Sequence, residues 1–296
     1  MQDGTSHARH HRLSVLRLFF GAVFGLFLAI FIAFAMALYV GQRHLLFEND
    51  IYGDIGNPRQ IGFSGMRVAH VRTTDGLTLS AWYKKAYPDC PTFVFFHGNE
   101  GNVKTRGFKL EPLLHAGYGA LLVEYRGYGG NPGKPSEDGL YEDSRSALRF
   151  LADEEGVKLA NTVLMGESLG TGVAVKMAVE FPPAQLVLLA PYTSITDVAS
   201  GIYWFLPVGL LSRDRFPSIN RIGEVHAPLL IIHGENDDTV PISLGRSLLA
   251  AANEPKTGIF IKGAGHDNLF TFGASDAIAA FVDPRHRCLA PEDGRP

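Results

Sequence analysis

The chain has 296 residues, of which 46% are hydrophobic and 19% are charged, and its formal net charge at pH 7 is -3. This composition supplies a core for one large domain or two small ones. The slightly acidic balance argues against nucleic acid as a partner. The absence of internal repeats and low-complexity tracts argues against a solenoid and against a largely disordered chain.

Two cysteines, Cys90 and Cys288, are the only thiols of the chain. Two are too few for a disulfide framework, and no C-x-x-C spacing indicates a metal or redox site. We therefore expect two unpaired thiols. A disulfide between them is the alternative, and it requires a domain that lies outside the cytoplasm.

The first predicted element is a membrane-spanning helix over residues 18–40. These 23 residues carry no charge. As a helix they extend about 35 Å, which is enough to cross a bilayer. Phenylalanines occur on every face of this helix, which argues against a helix with one buried side. A cleavable signal peptide is the alternative, because Ala35-Met36-Ala37 fits a small-x-small cleavage site. The apolar run, however, exceeds the about 7–15 residues of a typical signal peptide and favours an uncleaved anchor.

Basic residues predict the orientation of this helix. Arg9, Arg12 and Arg17 precede it, whereas Arg43 is the only Lys or Arg in the first stretch after it. Since cytoplasmic flanks carry the excess of Lys and Arg, residues 1–17 should form a cytoplasmic, basic N-terminus. We expect a single-pass membrane protein whose main domain lies on the non-cytoplasmic side.

A connecting segment, residues 41–65, leads to strand-like and helix-like stretches. Residues 67–73 and 77–85 alternate in polarity around the turn pair Asp75-Gly76, which predicts an antiparallel hairpin. Six short apolar runs follow, as expected for strands buried on both faces of a parallel sheet. They cover residues 92–97, 119–125, 161–166, 185–190, 228–234 and 257–263.

Helix-compatible stretches separate these runs. They cover residues 104–115, 137–153, 169–180, 243–252 and 268–282. We predict an α/β domain over residues 66–284, with a mostly parallel sheet of about eight strands and helices on both faces. The Pro- and charge-containing tail, residues 285–296, should be frayed.

One insertion, at about residues 196–222, interrupts this alternation, and we refer to it as the cap insertion. It contains an apolar cluster that includes Trp204, Phe205 and Leu210. One interpretation is ordinary core. The other is a small cap over the carboxyl edge of the sheet, which offers an acyl-binding wall or a membrane-facing patch.

The spacing G-x-S-x-G occurs at Gly166, Ser168 and Gly170, within VLMGESLGTG. By itself it is a weak signal, because a chain this rich in glycine gives roughly 0.2 such matches by chance. Ser168, however, follows a predicted strand and opens a predicted helix, as a nucleophile on a sharp strand-to-helix turn must. That position is also the carboxyl edge of the sheet, where active sites of open α/β sheets lie.

A serine hydroxyl needs a base to take its proton and a carboxylate to orient that base. Asp237 follows the next-to-last predicted strand and His266 follows the last. The resulting chain order of Ser, Asp and His is typical of hydrolases with this kind of turn. We predict a catalytic triad of Ser168, His266 and Asp237, with Asp238 or Asp267 as the alternative orienting acid.

An oxyanion also needs backbone donors. Residues 95–102 follow an early strand, and the N–H groups of Asn99 and of Leu169, the residue after the serine, are the predicted donors. His97 and His233 begin turns and are interpreted as framework residues.

Three further polar residues near this edge have two interpretations each. Arg126 and Tyr128 are either structural or substrate-facing. Glu167 either adds negative potential beside the serine or bonds to local backbone.

Seven segments together resemble the membrane-anchored α/β-hydrolase proteins of the serine aminopeptidase-like grouping, close to the depalmitoylase and lysophospholipase branches. The segments are FHGNEGN, YRGYGGNPGKPSEDGLYED, GESLG, PYTSI, FLPVGLLSRDRFPS, HGENDDTVP and GAGHDN. The resemblance covers nearly all of residues 67–282 and implies an α/β-hydrolase fold with an N-terminal anchor. It also implies the roles of Ser168, Asp237, His266, Asn99 and Leu169 given above. Glu100 departs from the small residue that such proteins commonly have in this loop.

The sequence favours a membrane-anchored serine hydrolase that cleaves carboxylic ester or thioester bonds of acyl or lipid-like substrates through an acyl-enzyme. Neither a metal nor an organic cofactor is implied, and the expected partners are a small-molecule or lipid-like ester and the membrane. A serine peptidase of the same fold is one alternative, although no acidic cluster in the cap insertion clearly offers a site for a peptide amine. A non-catalytic binding protein of this fold is the other.

Overall fold

The computed structural model describes residues 4–48, 52–285 and 288. The chain forms two compact units that divide between Leu45 and Leu46. The first unit is helical. The second contains the sheet, the cap insertion and every residue predicted to be catalytic.

The first unit contains helix α1, Gly4–Leu46, up to Leu45. Within it, Leu16–Leu46 is 31 residues long, and its most apolar part has a mean hydropathy of 2.7 and no buried side chain. A helix of that length extends about 46 Å, so α1 is long and apolar enough to cross a bilayer. The predicted span lies inside α1, which continues to Leu46 because residues 41–46 contain no proline to end it.

The second unit is built on one sheet, in which the described residues form eight strands in the order β1-β2-β4-β3-β5-β6-β7-β8. The strands are β1 (Arg67–Arg72), β2 (Thr78–Lys84), β3 (Thr92–Phe96), β4 (Gly119–Val123), β5 (Thr162–Glu167), β6 (Gln185–Leu189), β7 (Leu229–Gly234) and β8 (Lys256–Ile261). β2 is antiparallel to both of its neighbours, and all other neighbouring strands are parallel. The predicted mostly parallel sheet with an antiparallel start is confirmed.

Helices follow most of the strands. In the described part of the second unit they are α2 (Val103–Arg106), α3 (Glu111–His115), α4 (Glu137–Asp153), α5 (Leu169–Glu180), α6 (Ile195–Ile202), α7 (Val208–Leu211), α8 (Ile242–Ala251) and α9 (Ala274–Val282). Two predicted helices are broken. Residues 104–115 split at a short 3-10 turn before Pro112, whose ring cannot follow a continuous helix. Residues 268–282 split at Gly273, whose left-handed φ of 87° ends a 3-10 turn.

The core lies on both faces of the sheet. In β3, Val94 and Phe96 belong to one hydrophobic cluster and Phe93 and Phe95 to the other, and all four are fully buried. Residues of α4, α5 and α8 cover the first face, and residues of α3 and α9 cover the second. Because successive side chains of a strand point to opposite faces, burial on both faces explains the continuous apolar runs.

The cap insertion lies between β6 and β7 and contains α7 and most of α6. Its base is core, since Phe216 and Ile222 are fully buried. Its tip, with Trp204 and Leu210, is exposed. The interpretation as core therefore fits the base of the insertion, and the interpretation as a cap stays a prediction for its exposed tip.

The second unit begins inside the predicted connecting segment. Phe47 and Ile55 of that segment are buried in the two core clusters. The ring of Phe47 packs edge-on against Phe216, with 6.5 Å between ring centroids. Burial of these two apolar side chains therefore adds part of the connecting segment to the core of the second unit.

Cys90 and Cys288 form a disulfide, with 5.4 Å between their Cα atoms. The expectation of two unpaired thiols is therefore wrong. Cys90 lies just before β3, and Cys288 follows α9, where its N–H donates to Asp283 Oδ2 at 2.8 Å. The two positions are 198 residues apart, so only the tertiary fold brings them together.

Opening this disulfide should destabilise the second unit, because a cross-link over a long loop restricts the unfolded chain. We expect Cys288→Ser to lower the free energy of unfolding by about 2–4 kcal/mol and the thermal midpoint by about 5–15 °C. Thermal unfolding followed by circular dichroism, with and without a reductant, measures this. The reductant should lower the midpoint of the unaltered protein and leave that of Cys288→Ser in place. A reductant effect of equal size on both proteins would contradict a role for this disulfide.

Candidate active site

Ser168 lies between β5 and α5 on a sharp turn, with φ of 49° and ψ of -120°. This backbone conformation is strained for a residue with a side chain. The flanking glycines make the turn possible. A Cβ at Gly170 would overlap the carbonyl oxygen of Phe96, and a Cβ at Gly166 would overlap that of Gly170. The sequence prediction of a strand-to-helix turn at Ser168 therefore matches the structure, and close backbone approach is its physical reason.

The structure brings Ser168, His266 and Asp237 together from three strand ends. Ser168 Oγ is 2.9 Å from His266 Nε2, and His266 Nδ1 is 2.8 Å from Asp237 Oδ2. A carboxylate only accepts hydrogen bonds, so Nδ1 carries the proton toward Asp237 and Nε2 is left to accept from the serine. This is the geometry that removal of a proton from Ser168 requires.

Asp237 is fixed from several sides. Its Oδ1 accepts from the backbone N–H groups of Val240 at 2.7 Å and Thr239 at 3.0 Å. His233 Nε2 lies 3.2 Å from its Oδ2. Burial alone would raise the pKa of Asp237, but the bonds from His233, His266 and Val240 outweigh it and hold this pKa well below its usual range. Asp237 is therefore a carboxylate at neutral pH, and His233, predicted as framework, supports it.

The two alternative acids are placed elsewhere. Asp238 is exposed and lies 3.4 Å from the hydroxyl of Thr239. Asp267 accepts from Arg106 Nη1 at 3.0 Å. Of the three aspartates considered from the sequence, Asp237 is the one hydrogen-bonded to His266.

The pKa of His266 is raised above its ordinary value of 6.5. Burial disfavours the imidazolium. The hydrogen bond and negative charge of Asp237 outweigh burial, and the charges of Asp267 and Glu167 act in the same direction. An imidazole with a raised pKa accepts the serine proton more readily, but it is neutral only at higher pH.

The predicted oxyanion loop lies against the serine. A Cβ at Gly98 would contact Ser168 Cβ at 3.4 Å, so this loop and the turn are in backbone contact. Asn99 follows, and its carbonyl oxygen accepts from Tyr128 Oη at 2.9 Å and from Glu48 N at 3.2 Å. Leu169 is the first residue of α5. The donor roles of Asn99 and Leu169 stay predictions.

A buried pair supports this loop from below. His97 Nε2 lies 3.0 Å from Glu124 Oε1, and neither side chain is exposed. The other oxygen of Glu124 accepts from Val103 N at 2.8 Å, at the start of α2. The framework interpretation of His97 fits these contacts. Glu124 was missed, because an acidic residue after a buried strand gives no sequence signal of its partner.

A network of charges surrounds the serine turn. Glu167 forms a buried ion pair with Lys109 and lies 3.6 Å from Arg106. Arg106 also pairs with Asp267 at 3.0 Å and with Glu100 at 3.7 Å. Arg106 therefore joins the residue before the serine, the residue after the histidine and the predicted oxyanion loop. Neither interpretation of Glu167 from the sequence included these ion pairs. Arg106 and Lys109 were not predicted as site residues, because both lie on the helical segment 103–110.

Arg126 and Tyr128 have structural contacts. Arg126 pairs with Asp75 and with the buried Asp143, each at 2.7 Å. Tyr128 is fully buried and donates to the Asn99 carbonyl. Tyr128 therefore supports the loop next to the serine, whereas Arg126 joins the loop after β4 to the first hairpin and to α4.

The arrangement is sufficient for nucleophilic chemistry. The path from Asp237 through His266 to Ser168 can take up and return one proton, and the N-terminus of α5 offers backbone donors beside the serine. Within the residues that the structure describes, no cluster of three or more His, Cys, Asp or Glu side chains could bind a metal ion.

Comparison with known proteins gives matches in sequence and in fold. The family model described as serine aminopeptidase, S33, matches residues 89–215. The uncharacterized protein Rv2307c of Mycobacterium tuberculosis is 45% identical over 239 residues, which are 79% of this chain and 83% of that protein. Lysophosphatidylserine lipase ABHD12 of Danio rerio is 32% identical over 200 residues, 60% of this chain and 51% of that protein. The fold is similar to that of the Pyrococcus furiosus esterase Pf2001, with a TM-score of 0.64, 21% identity, and coverage of 79% and 95% of the two chains.

The raised pKa of His266 predicts how the reactivity of Ser168 depends on pH. His266 must be neutral to accept the proton, so the rate of Ser168 modification by a fluorophosphonate should fall as the pH decreases, with a midpoint above 6.5. Asp237→Asn removes the main cause of the raised pKa, so this midpoint should move to lower pH. The maximal rate should also decrease by about 10³-fold or more, because the imidazole loses its orienting partner.

The matched control is Asp238→Asn, which removes a neighbouring but exposed carboxylate. Its midpoint and maximal rate should stay close to those of the unaltered protein. The same midpoint in Asp237→Asn as in the unaltered protein would contradict the assignment of Asp237.

Proposed function

Because this chain belongs to the α/β-hydrolase family, we propose that it is a membrane-anchored serine hydrolase that cleaves carboxylic ester or thioester bonds of acyl or lipid-like substrates. One observation carries the proposal. The hydrogen-bonded path from Asp237 through His266 reaches Ser168 on a strained turn at the carboxyl edge of the sheet.

The reaction proceeds through an acyl-enzyme. His266 Nε2 takes the proton of Ser168 Oγ as this oxygen attacks the substrate carbonyl, and Asp237 stabilises the imidazolium that forms. The N–H groups of Asn99 and Leu169 donate to the oxyanion. The imidazolium then gives its proton to the leaving alcohol or thiol. Water, deprotonated by His266, finally releases the acyl group and restores Ser168.

Two observations support an acyl or lipid-like substrate. Helix α1 is long and apolar enough to place the protein at a membrane, where such esters are concentrated. A relative that is 32% identical, from Danio rerio, is named a lysophosphatidylserine lipase. An ester or thioester is favoured over a peptide bond because no observation on the cap insertion indicates a site for a peptide amine.

The second unit lies on the non-cytoplasmic side in this proposal. The basic residues before the apolar span 18–40 support this orientation, since cytoplasmic flanks are rich in Lys and Arg. The disulfide between Cys90 and Cys288 supports it independently, because stable disulfides are rare in the cytoplasm.

The nucleophile is tested by labelling the membrane fraction with a fluorescent fluorophosphonate. The unaltered protein should be labelled and Ser168→Ala should not. Hydrolysis by Ser168→Ala should fall at least about 10³-fold. The matched control is Ser144→Ala, which removes another buried hydroxyl whose bond is to its own helix. Equal labelling of Ser168→Ala and the unaltered protein would refute Ser168 as nucleophile.

The bond type is tested with a chain-length series of nitrophenyl esters and thioesters beside aminoacyl anilides. Hydrolysis should be measurable for the esters or thioesters and rise with acyl length, because longer chains bury more apolar surface. Activity confined to the anilides would favour the peptidase. Absence of both activities in a protein that folds would favour a binding role.

The orientation is tested with alkaline phosphatase fused after Pro296. This reporter is active only in an oxidising compartment, so the fusion should show phosphatase activity in intact cells. A cytoplasmic reporter fused at the same position should be silent. The reverse pattern would place the second unit in the cytoplasm.

A further inference from the structure

The tip of the cap insertion carries the most exposed large apolar side chains among the described residues. Leu210 is 83% exposed and Trp204 is 81% exposed, more than any large apolar side chain described in α1, of which the most exposed is Leu18 at 74%. Ile202 of the same tip is also exposed. Large apolar groups left in water at adjacent positions mark a surface that contacts another apolar phase.

This tip is presented by a fixed base. Glu137 Oε2, in α4, accepts from the N–H groups of Arg215 at 2.6 Å and of Phe216 at 3.0 Å. Ile195 N donates to the Arg215 carbonyl at 2.8 Å, which joins the two ends of the insertion. The insertion therefore returns to the body at a defined place. The exposed tip is part of this ordered structure.

The charge next to the tip is positive. Arg213 and Arg215 are exposed, whereas Asp214 between them is buried and accepts from Glu137 N at 2.8 Å. The guanidinium of Arg215 donates to the carbonyls of Gly209 and Ser212 around α7. The outward charge of this segment is thus opposite to the net charge of -3 of the whole chain. A surface with apolar side chains beside arginines is complementary to lipid acyl chains beside anionic headgroups.

The first residues of the second unit pack at the base of the cap insertion. α1 ends at Leu46, and the next residue, Phe47, is already buried against Phe216 at the base of the insertion. Glu48 N donates to the Asn99 carbonyl of the oxyanion loop at 3.2 Å. Phe47 and Glu48 therefore join the base of the insertion to the loop next to the serine within the second unit.

From these contacts we infer that the tip formed by Ile202, Trp204 and Leu210 seats in the interface of the lipid bilayer that α1 spans. The inference rests on the proposed membrane anchoring. Trp204 occupies the level of the headgroups, where tryptophan side chains are enriched, and Arg213 and Arg215 face the phosphates. The membrane contact deepens the proposed function, since it holds the carboxyl edge of the sheet next to the surface from which a lipid-like ester is taken.

The test uses the two tryptophans of the chain. Trp82 is fully buried in the core, and Trp204 is exposed. The full chain is reconstituted into vesicles of phosphatidylcholine and phosphatidylglycerol, some with bromine near the headgroup end of the acyl chains. The emission of Trp204 is obtained as the difference between the unaltered protein and Trp204→Phe. We expect bromine to quench this difference emission about twofold or more, and to leave the Trp82 emission of Trp204→Phe nearly unchanged.

Two further variants define the surface. Leu210→Ser should reduce the quenching of Trp204, because it removes an apolar neighbour from the same tip. Ile61 lies elsewhere on the second unit and is 44% exposed. The control variant Ile61→Ser should not reduce the quenching of Trp204. Equal quenching in the Leu210→Ser and Ile61→Ser variants would overturn the assignment of this tip.

The outcomes separate the inference from the proposed function. Flotation of the protein with the vesicles reports anchoring, and fluorophosphonate labelling reports the nucleophile, both independently of Trp204. Flotation and labelling without quenching would overturn the membrane contact alone. If the emission of Trp204 changed with protein concentration and were not quenched by bromine, the tip would contact a second copy of the chain. That result would also overturn the membrane contact. Failure to float would refute the anchoring on which the inference rests.

Discussion

The close approach of the serine turn to the end of β3 is the constraint on which the site depends. No side chain fits between Gly170 and the Phe96 carbonyl, and Gly98 lies directly against the serine. The surrounding sheet maintains the strained φ of Ser168. Ser168 N donates a hydrogen bond to Leu189 O, at the end of β6, at 2.9 Å. Since parallel strands end at one edge, fixing this turn also fixes its distance from the loops that follow β7 and β8.

The same edge brings several carboxylates into a small space, and the fold compensates each of them differently. Backbone N–H groups and His233 stabilise Asp237, whereas Lys109 and Arg106 neutralise Glu167. Glu124 is satisfied by His97 and a helix N-terminus. Buried carboxylates without such partners would take up protons or disrupt the fold. Compensation lets Asp237 remain charged where it acts on His266.

Much of this architecture could be predicted from the sequence because it is encoded locally. Continuous apolar runs indicate buried parallel strands, and the glycines around Ser168 indicate a tight turn. The order of Ser168, Asp237 and His266 along the chain brought three distant residues into one prediction, since each follows a strand. The family resemblance added no residue to that set.

What could not be predicted depends on contacts between distant segments. The disulfide joins positions 198 residues apart, and no local pattern indicates that their Cα atoms lie within 5.4 Å. The partners of Glu167 come from a segment that was predicted as one helix and that Pro112 interrupts. In the sequence, the cap insertion is a single apolar stretch. Its buried base and its exposed tip are distinguished only by packing against the rest of the second unit.

The disulfide also changes the topology of the chain as a polymer. It closes a ring that contains β3 to β8 and all three residues of the hydrogen-bonded path, with α1 and the first hairpin outside on a single tail. An unfolded but oxidised chain therefore stays a ring, and the segments that form the site remain on one loop of restricted size. An unfoldase that pulls on the N-terminal tail has to take up two segments of the chain at once when it reaches Cys90, instead of one. Threading of the oxidised chain from that tail would therefore require a reductant or a channel wide enough for a doubled chain.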